Sequence, residues 1–96
     1  MGIQEILQNQ RSKILEIAHK HGVEDISVFG SVARGEAQEN SDVDFLITAG
    51  SKVSPWFPGG LVADLEELLG RKVDVVEPKA LRSEIRQNVL HEARPL

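Results

Sequence analysis

The chain has 96 residues, 11 basic against 15 acidic, with a formal net charge of −4 and no cysteine. That length suits a single domain with one core and leaves no room for a separate acceptor-binding domain, and the acidic balance argues against broad electrostatic binding to DNA or RNA. The lack of cysteine excludes disulfides and thiolate zinc sites and fits a reducing cytoplasm, and neither a signal peptide nor a membrane-spanning apolar run is expected.

Ile3, Ile6, Leu7, Ile14, Leu15 and Ala18 recur at helical spacing, so the pattern predicts one amphipathic helix over about residues 2–21, ended by His21-Gly22. Strand one follows at Ile26–Phe29 and runs into Gly30-Ser31, after which Ser31 to Glu36 opens a short helical turn. The polar segment Gly35–Ser41 leads to strand two, Val43–Ile47, and Ala49 to Gly60 reads as a Gly/Pro/Ser-rich loop. Within that loop Trp56 and Phe57 are expected to cap a small core, with an exposed partner-binding or base-stacking patch as the rival reading. Leu61, Leu65, Leu68 and Leu69 define the next helix, closed by Gly70, and Lys72–Glu77 forms strand three. Pro78 begins a last helix whose Leu81, Ile85 and Val89 are expected to cover the sheet, with Arg82 and Arg86 on its flank for an acidic partner or a nucleotide. No repeat or interdomain linker interrupts residues 1–96. Alternation of this kind, taken alone, favours parallel βαβ units.

The chemistry concentrates between Gly30 and Asp74. Alternate side chains of a strand share a face, so Asp42 and Asp44 project together while Val43, Phe45 and Ile47 point into a core. If Val73-Asp74-Val75-Val76 lies alongside, Asp74 joins that polar face and Val73 and Val75 the buried one. Three close carboxylates repel one another at reduced dielectric, and a divalent cation removes the conflict. Mg²⁺ suits such a site because it takes one or two protein carboxylates together with phosphate oxygens and water. Upstream, the bend at Gly30-Ser31 supplies backbone N–H groups and a hydroxyl for an anion, and Arg34 adds charge. The Gly-Lys-Ser/Thr ending of a Walker A loop is absent, so phosphates would be held by a different device. Each element has a plainer explanation when taken alone: Gly30-Ser31 a turn, Asp42-Val43-Asp44 a solvated strand face, Arg34 and Glu36 a surface ion pair, Ser41 a turn initiator. Their conjunction in type, order and spacing is what points to a nucleotide site. His19, His21 and His91 show no metal-ligand spacing and read as solvated or partner-facing.

The run Gly30-Ser31-Val32-Ala33-Arg34-Gly35-Glu36, then Ser41-Asp42-Val43-Asp44-Phe45-Leu46-Ile47, then Lys72-Val73-Asp74-Val75-Val76, resembles the DNA polymerase β-like nucleotidyltransferase superfamily. More narrowly it resembles the prokaryotic minimal nucleotidyltransferases, commonly paired as antitoxin with a HEPN-domain toxin. The resemblance covers nearly the whole chain. It implies an α/β (α+β) fold, a small mixed β-sheet of three or four strands with helices packed on one face. It also implies transfer of AMP from ATP, with Mg²⁺, to a hydroxyl acceptor, plausibly a tyrosine of the HEPN ribonuclease. In that scheme Asp42, Asp44 and Asp74 are the catalytic, metal-holding acids and Gly30, Ser31 and Arg34 the nucleotide-binding residues, in a hetero-oligomer with the toxin. The chain itself has no tyrosine. Two alternatives stand beside this reading: an antitoxin that masks the toxin by binding alone, and a nucleotidyltransferase acting on a small molecule.

Overall fold

The structure is a computed structural model that describes residues 2–38, 41–53 and 55–96. Parts of two loops read from the sequence, residues 39–40 and 54, lie outside the described residues. In chain order the elements are α1 (Ile3–Asn9), α2 (Arg11–Lys20), β1 (Val23–Phe29), β2 (Val43–Ala49), α3 (Gly59–Leu69), β3 (Val73–Val76), a 3₁₀ turn (Pro78–Ala80), α4 (Ser83–Glu92) and β4 (Arg94–Pro95). The four strands make one mixed sheet in the order β3-β2-β1-β4. β1 runs antiparallel to both β2 and β4, while β2 and β3 are parallel. The mixed sheet of the family expectation is therefore present, and the all-parallel arrangement is not.

Alternation along β2 explains where the core lies. Val43, Phe45 and Ile47 are 0–1 % exposed and pack with Ile3, Leu7, Ile14 and Ala18 of α1 and α2 and with Leu61, Leu65 and Leu69 of α3. Val23, Ile26 and Val28 of β1 and Val73 of β3 complete this cluster. Fully burying side chains of this size contributes about 1.5–3 kcal/mol each, so this face holds most of the stabilising area. Leu46 and Val89 are also buried, but outside that cluster.

Several boundaries depart from the sequence reading. The long first helix is two helices, because Gln10 leaves helical geometry at φ −102°, ψ 9°. The ladder barely notices, since Gln10 N–H still donates to Ile6 O and Ile14 N–H to Gln10 O, both at 2.9 Å. Gly70 closes α3 as expected, in the left-handed region at φ 67°, where a side chain would be strained. Glu66 then ties α3 to β3 by accepting the Val73 N–H at 3.0 Å. The last helix starts later than expected: Pro78 opens only a 3₁₀ turn, and Arg86 holds α4 to it by donating to Pro78 O at 2.8 Å and Leu81 O at 2.7 Å. Of the expected apolar stripe only Val89 is buried; Ile85 is half exposed. Trp56 is 84 % exposed, against the expectation that it caps the core, whereas Phe57 is partly buried against the core cluster.

Candidate active site

β2 and β3 set the acids. Their parallel register pairs Asp44 with Asp74, one residue in from the start of each strand, on the face opposite Val43, Phe45, Val73 and Val75. Asp42 lies one residue before β2, exposed, rather than within the strand. The Asp44 carboxyl is held above the usual aspartate range, first by burial and then by repulsion from Asp74 and Asp42; Arg34 opposes this, and Glu92 adds to it. Both of the other predicted acids thus act electrostatically on Asp44.

Among the described residues no three acidic or histidine side chains form a ready-made metal cage. The donor set still fits Mg²⁺, which is content with one or two carboxylates when phosphate and water supply the rest. The raised carboxyl of Asp44 is the observation that tests the fit, because its charged form is destabilised by its own neighbours and Arg34 alone opposes them. Asp42 and Asp44 are the residues that would hold such an ion, with Asp74 beside them.

The predicted phosphate cradle is a single turn over residues 31–35, not a helix of its own. Arg34 N–H donates to Gly30 O at 3.1 Å, Gly35 N–H to Val32 O at 3.2 Å and Glu36 N–H to Ser31 O at 2.8 Å. The N–H groups of Ser31, Val32 and Ala33 and the Ser31 hydroxyl take no hydrogen-bond partner among the described residues. Three successive free donors at the opening of a turn are what an anion site requires. Gln4 fixes the rear of the turn, its Nε2 donating to Val32 O at 2.6 Å.

Gly30 has a second role that the sequence pattern does not reveal. Its φ is +73°, and a Cβ built there would collide with Asp44 Oδ2. β1 and β2 pair Phe29 with Asp44, so the residue after Phe29 passes directly beside that carboxylate. A glycine is therefore required both by backbone conformation and by the space Asp44 occupies.

Glu92, at the end of α4, is not among the residues that the sequence singles out. Its Oε2 accepts the Gly30 N–H at 2.9 Å and its Oε1 the Arg34 Nη1 at 2.6 Å. Those bonds, Arg34 first, hold the Glu92 carboxyl below the usual range in spite of some burial. Arg34 also reaches Glu36 Oε2 through Nε at 3.3 Å. The predicted Arg34–Glu36 pair is thus present but secondary, and Arg34 is committed to carboxylates instead of standing free. The one signal for Glu92 in the sequence is its position: a carboxylate in the last turn of a helix opposes the helix dipole.

A groove of about 650 Å³ lies beside the same turn, lined by Arg11, Arg34 and Arg94 around Leu7, Val28 and Val32. It does not contain Asp42, Asp44 or Asp74, because Val28 belongs to the core face of β1 and the acids project from the other. No helix among the described residues is long and apolar enough to cross a membrane.

Comparisons with known proteins place the chain in a family. The nucleotidyltransferase domain model matches residues 11–96. A Methanocaldococcus jannaschii protein to which protein adenylyltransferase activity is ascribed is 40 % identical over 93 residues, covering 97 % of this chain and 96 % of the relative. The protein adenylyltransferase MntA of Thermococcus cleftensis is 44 % identical over 77 residues, 80 % of this chain and 78 % of that one. Among solved structures, a minimal nucleotidyltransferase superposes with a TM-score of 0.85 at 41 % identity, covering 96 % of this chain and 94 % of that one. A toxin–antitoxin complex with AMP-PNP gives 0.73 at 23 % identity over 88 % of this chain and 69 % of that one, a likeness of fold. The chain belongs to the nucleotidyltransferase family, in its minimal branch.

Proposed function

We propose that this nucleotidyltransferase uses Mg²⁺ and transfers AMP from ATP to a hydroxyl on another polypeptide, a tyrosine of a HEPN-domain ribonuclease toxin, and so acts as its antitoxin. The observation that carries the reading is the register of Asp44 against Asp74 beside the three N–H groups of residues 31–33, which take no partner among the described residues. The adenylyltransferase names of its relatives support AMP as the group moved, and the toxin–antitoxin neighbours support the partner and a hetero-oligomer. No tyrosine occurs in this chain, which agrees with an acceptor elsewhere. The lack of cysteine agrees with a cytoplasmic setting.

In this reading the Ser31–Ala33 N–H groups and the Ser31 hydroxyl hold the outer phosphates and align the triphosphate. Asp42 and Asp44 would hold Mg²⁺, which supplies charge neutralisation on the phosphates when bound. Asp74, exposed at the same level, orients the acceptor hydroxyl and takes its proton. The acceptor oxygen forms a bond to the α-phosphorus, the bond to the β-phosphate bridging oxygen breaks, and pyrophosphate leaves. The work is positioning and charge stabilisation, as in other phosphoryl transfers.

Masking without chemistry is the second reading, favoured by Trp56 at 84 % exposure, a large aromatic ring available to a partner. Incubation with labelled ATP, Mg²⁺ and the product of the neighbouring gene separates the two. Label on the partner that disappears with Asp42→Ala/Asp44→Ala is the expected result. Label unchanged in the double variant would falsify the catalytic assignment, and neutralisation without any label would establish masking.

A further inference from the structure

Glu92 lies 62 residues from Gly30 in the chain and sits on a different element from every predicted site residue, yet both of its carboxylate oxygens are spent on the phosphate turn. One oxygen takes the Gly30 N–H, the first donor of the turn, and the other takes the Arg34 guanidinium near its end. A single side chain thus spans the turn from both sides, while the three donors between them, Ser31, Val32 and Ala33, remain free among the described residues. Its location in the last turn of α4 is electrostatically unfavourable for a carboxylate, so these contacts must offset a cost that any neutral residue would avoid.

Two roles fit a carboxylate on phosphate-binding donors. It can stand in for the phosphate and leave when the nucleotide arrives, or it can hold the turn in shape and stay. The distribution of bonds decides between them. A stand-in would occupy the donors that face the anion, whereas Glu92 takes one flanking N–H and a guanidinium and none of the three successive N–H groups. Gly30 is also the residue whose missing side chain makes room for Asp44 Oδ2, so anchoring its amide fixes the distance between the phosphate turn and the metal-holding acid.

We infer that Glu92 is a positioning residue of the nucleotide site: by clamping Gly30 and Arg34 it holds the 31–35 turn in register with Asp44, and it stays in place when the triphosphate binds. This rests on the nucleotide reading given above. Glu92 touches neither phosphate nor acceptor; it acts through Gly30 and Arg34.

The test measures Mg²⁺·ATP binding by calorimetry for the full chain, its Glu92→Gln and Arg34→Gln variants and the double variant, with the Gly30 amide resonance followed by NMR. Glu92→Gln is expected to weaken binding about tenfold, the loss of one charge-assisted hydrogen bond. The Gly30 amide should shift, and the double variant should be no weaker than the worse single one, because both residues act through one clamp. A melting curve and an amide spectrum unchanged away from the turn separate positioning from unfolding. In transfer assays the ATP KM should rise more than kcat falls.

Tighter binding by Glu92→Gln would overturn the inference in favour of a phosphate stand-in. Unchanged binding, or fully additive effects of the two substitutions, would overturn it outright. Absence of Mg²⁺·ATP binding in the unmodified chain would instead overturn the nucleotide reading itself, and this inference with it, and is distinguished by that control.

Discussion

Asp64 and Asp44 stand in opposite electrostatic company. Asp64, on α3, meets His21 Nε2 at 2.7 Å and Lys20 Nζ at 3.5 Å from the end of α2, and its carboxyl is held below the ordinary range by the His21 hydrogen bond first. Asp44 is held above that range by burial first and then by Asp74, Asp42 and Glu92, with Arg34 against them. At the α2–α3 seam the fold matches each charge and gains a helix-to-helix tie. At the strand ends it assembles three aspartates, none of them in an ion pair among the described residues. Unmatched charge at the edge of a well-packed core is a mark of a site built for a ligand.

The contrast is broken most forcefully at Asp44. Asp44→Asn should lower AMP transfer on the order of 10²–10³-fold, the scale for losing one preorganised electrostatic group, without loss of thermal stability at neutral pH in the absence of metal. Transfer assays and melting curves on the same preparations check both halves. Gly30→Ala comes next: it forces a side chain into the left-handed region, at about 1–2 kcal/mol, and drives it into Asp44 Oδ2. Activity should therefore fall nearly as far, accompanied by a destabilisation visible in urea.

The two aspartates should also differ in the sign of their pH dependence. Because the folded pKa of Asp44 is raised, its contribution to stability is present below the unfolded aspartate value of about 3.9 and is lost as pH rises through the folded pKa. Asp64 is the reverse: its contribution is present above the unfolded value and is lost as pH falls through the depressed folded pKa. Melting temperatures from pH 3 upward should show Asp44→Asn gaining on the unmodified chain with rising pH, and Asp64→Asn losing. Parallel curves for the two variants would refute the contrast. The smallest effect belongs to Trp56→Ser, within about 0.5 kcal/mol in urea unfolding because the ring buries so little; a larger loss would show that the ring belongs to the core.

Much of the candidate site is legible in the amino-acid sequence because its residues lie in short local patterns. Gly30-Ser31, Asp42-Val43-Asp44 and Asp74 each sit on a short segment with an apolar alternation, and the alternation alone assigns Asp44 and Phe45 to opposite faces. Gly70 announces the end of α3 for a similarly local reason. Glu92 is not legible, since its role depends on two contacts far away in the chain. Nor is the space requirement at Gly30, which is a fact about the neighbouring strand. The division of the first helix at Gln10 carries no glycine or proline to mark it. β4 has two residues, one of them proline, too short for any periodicity to register. Ile85 keeps its helical spacing but not its burial, because spacing identifies a face without saying what covers it.

One further consequence follows from the way β2 and β3 are joined. The two acids at their starts lie side by side, yet the chain travels through a loop and all of α3 between them. Their separation is dictated by the sheet ladder and by how Leu61, Leu65 and Leu69 seat α3 on it, not by the length of the route. The number of residues between Ala49 and Gly59 is thus not what sets the spacing of the charges.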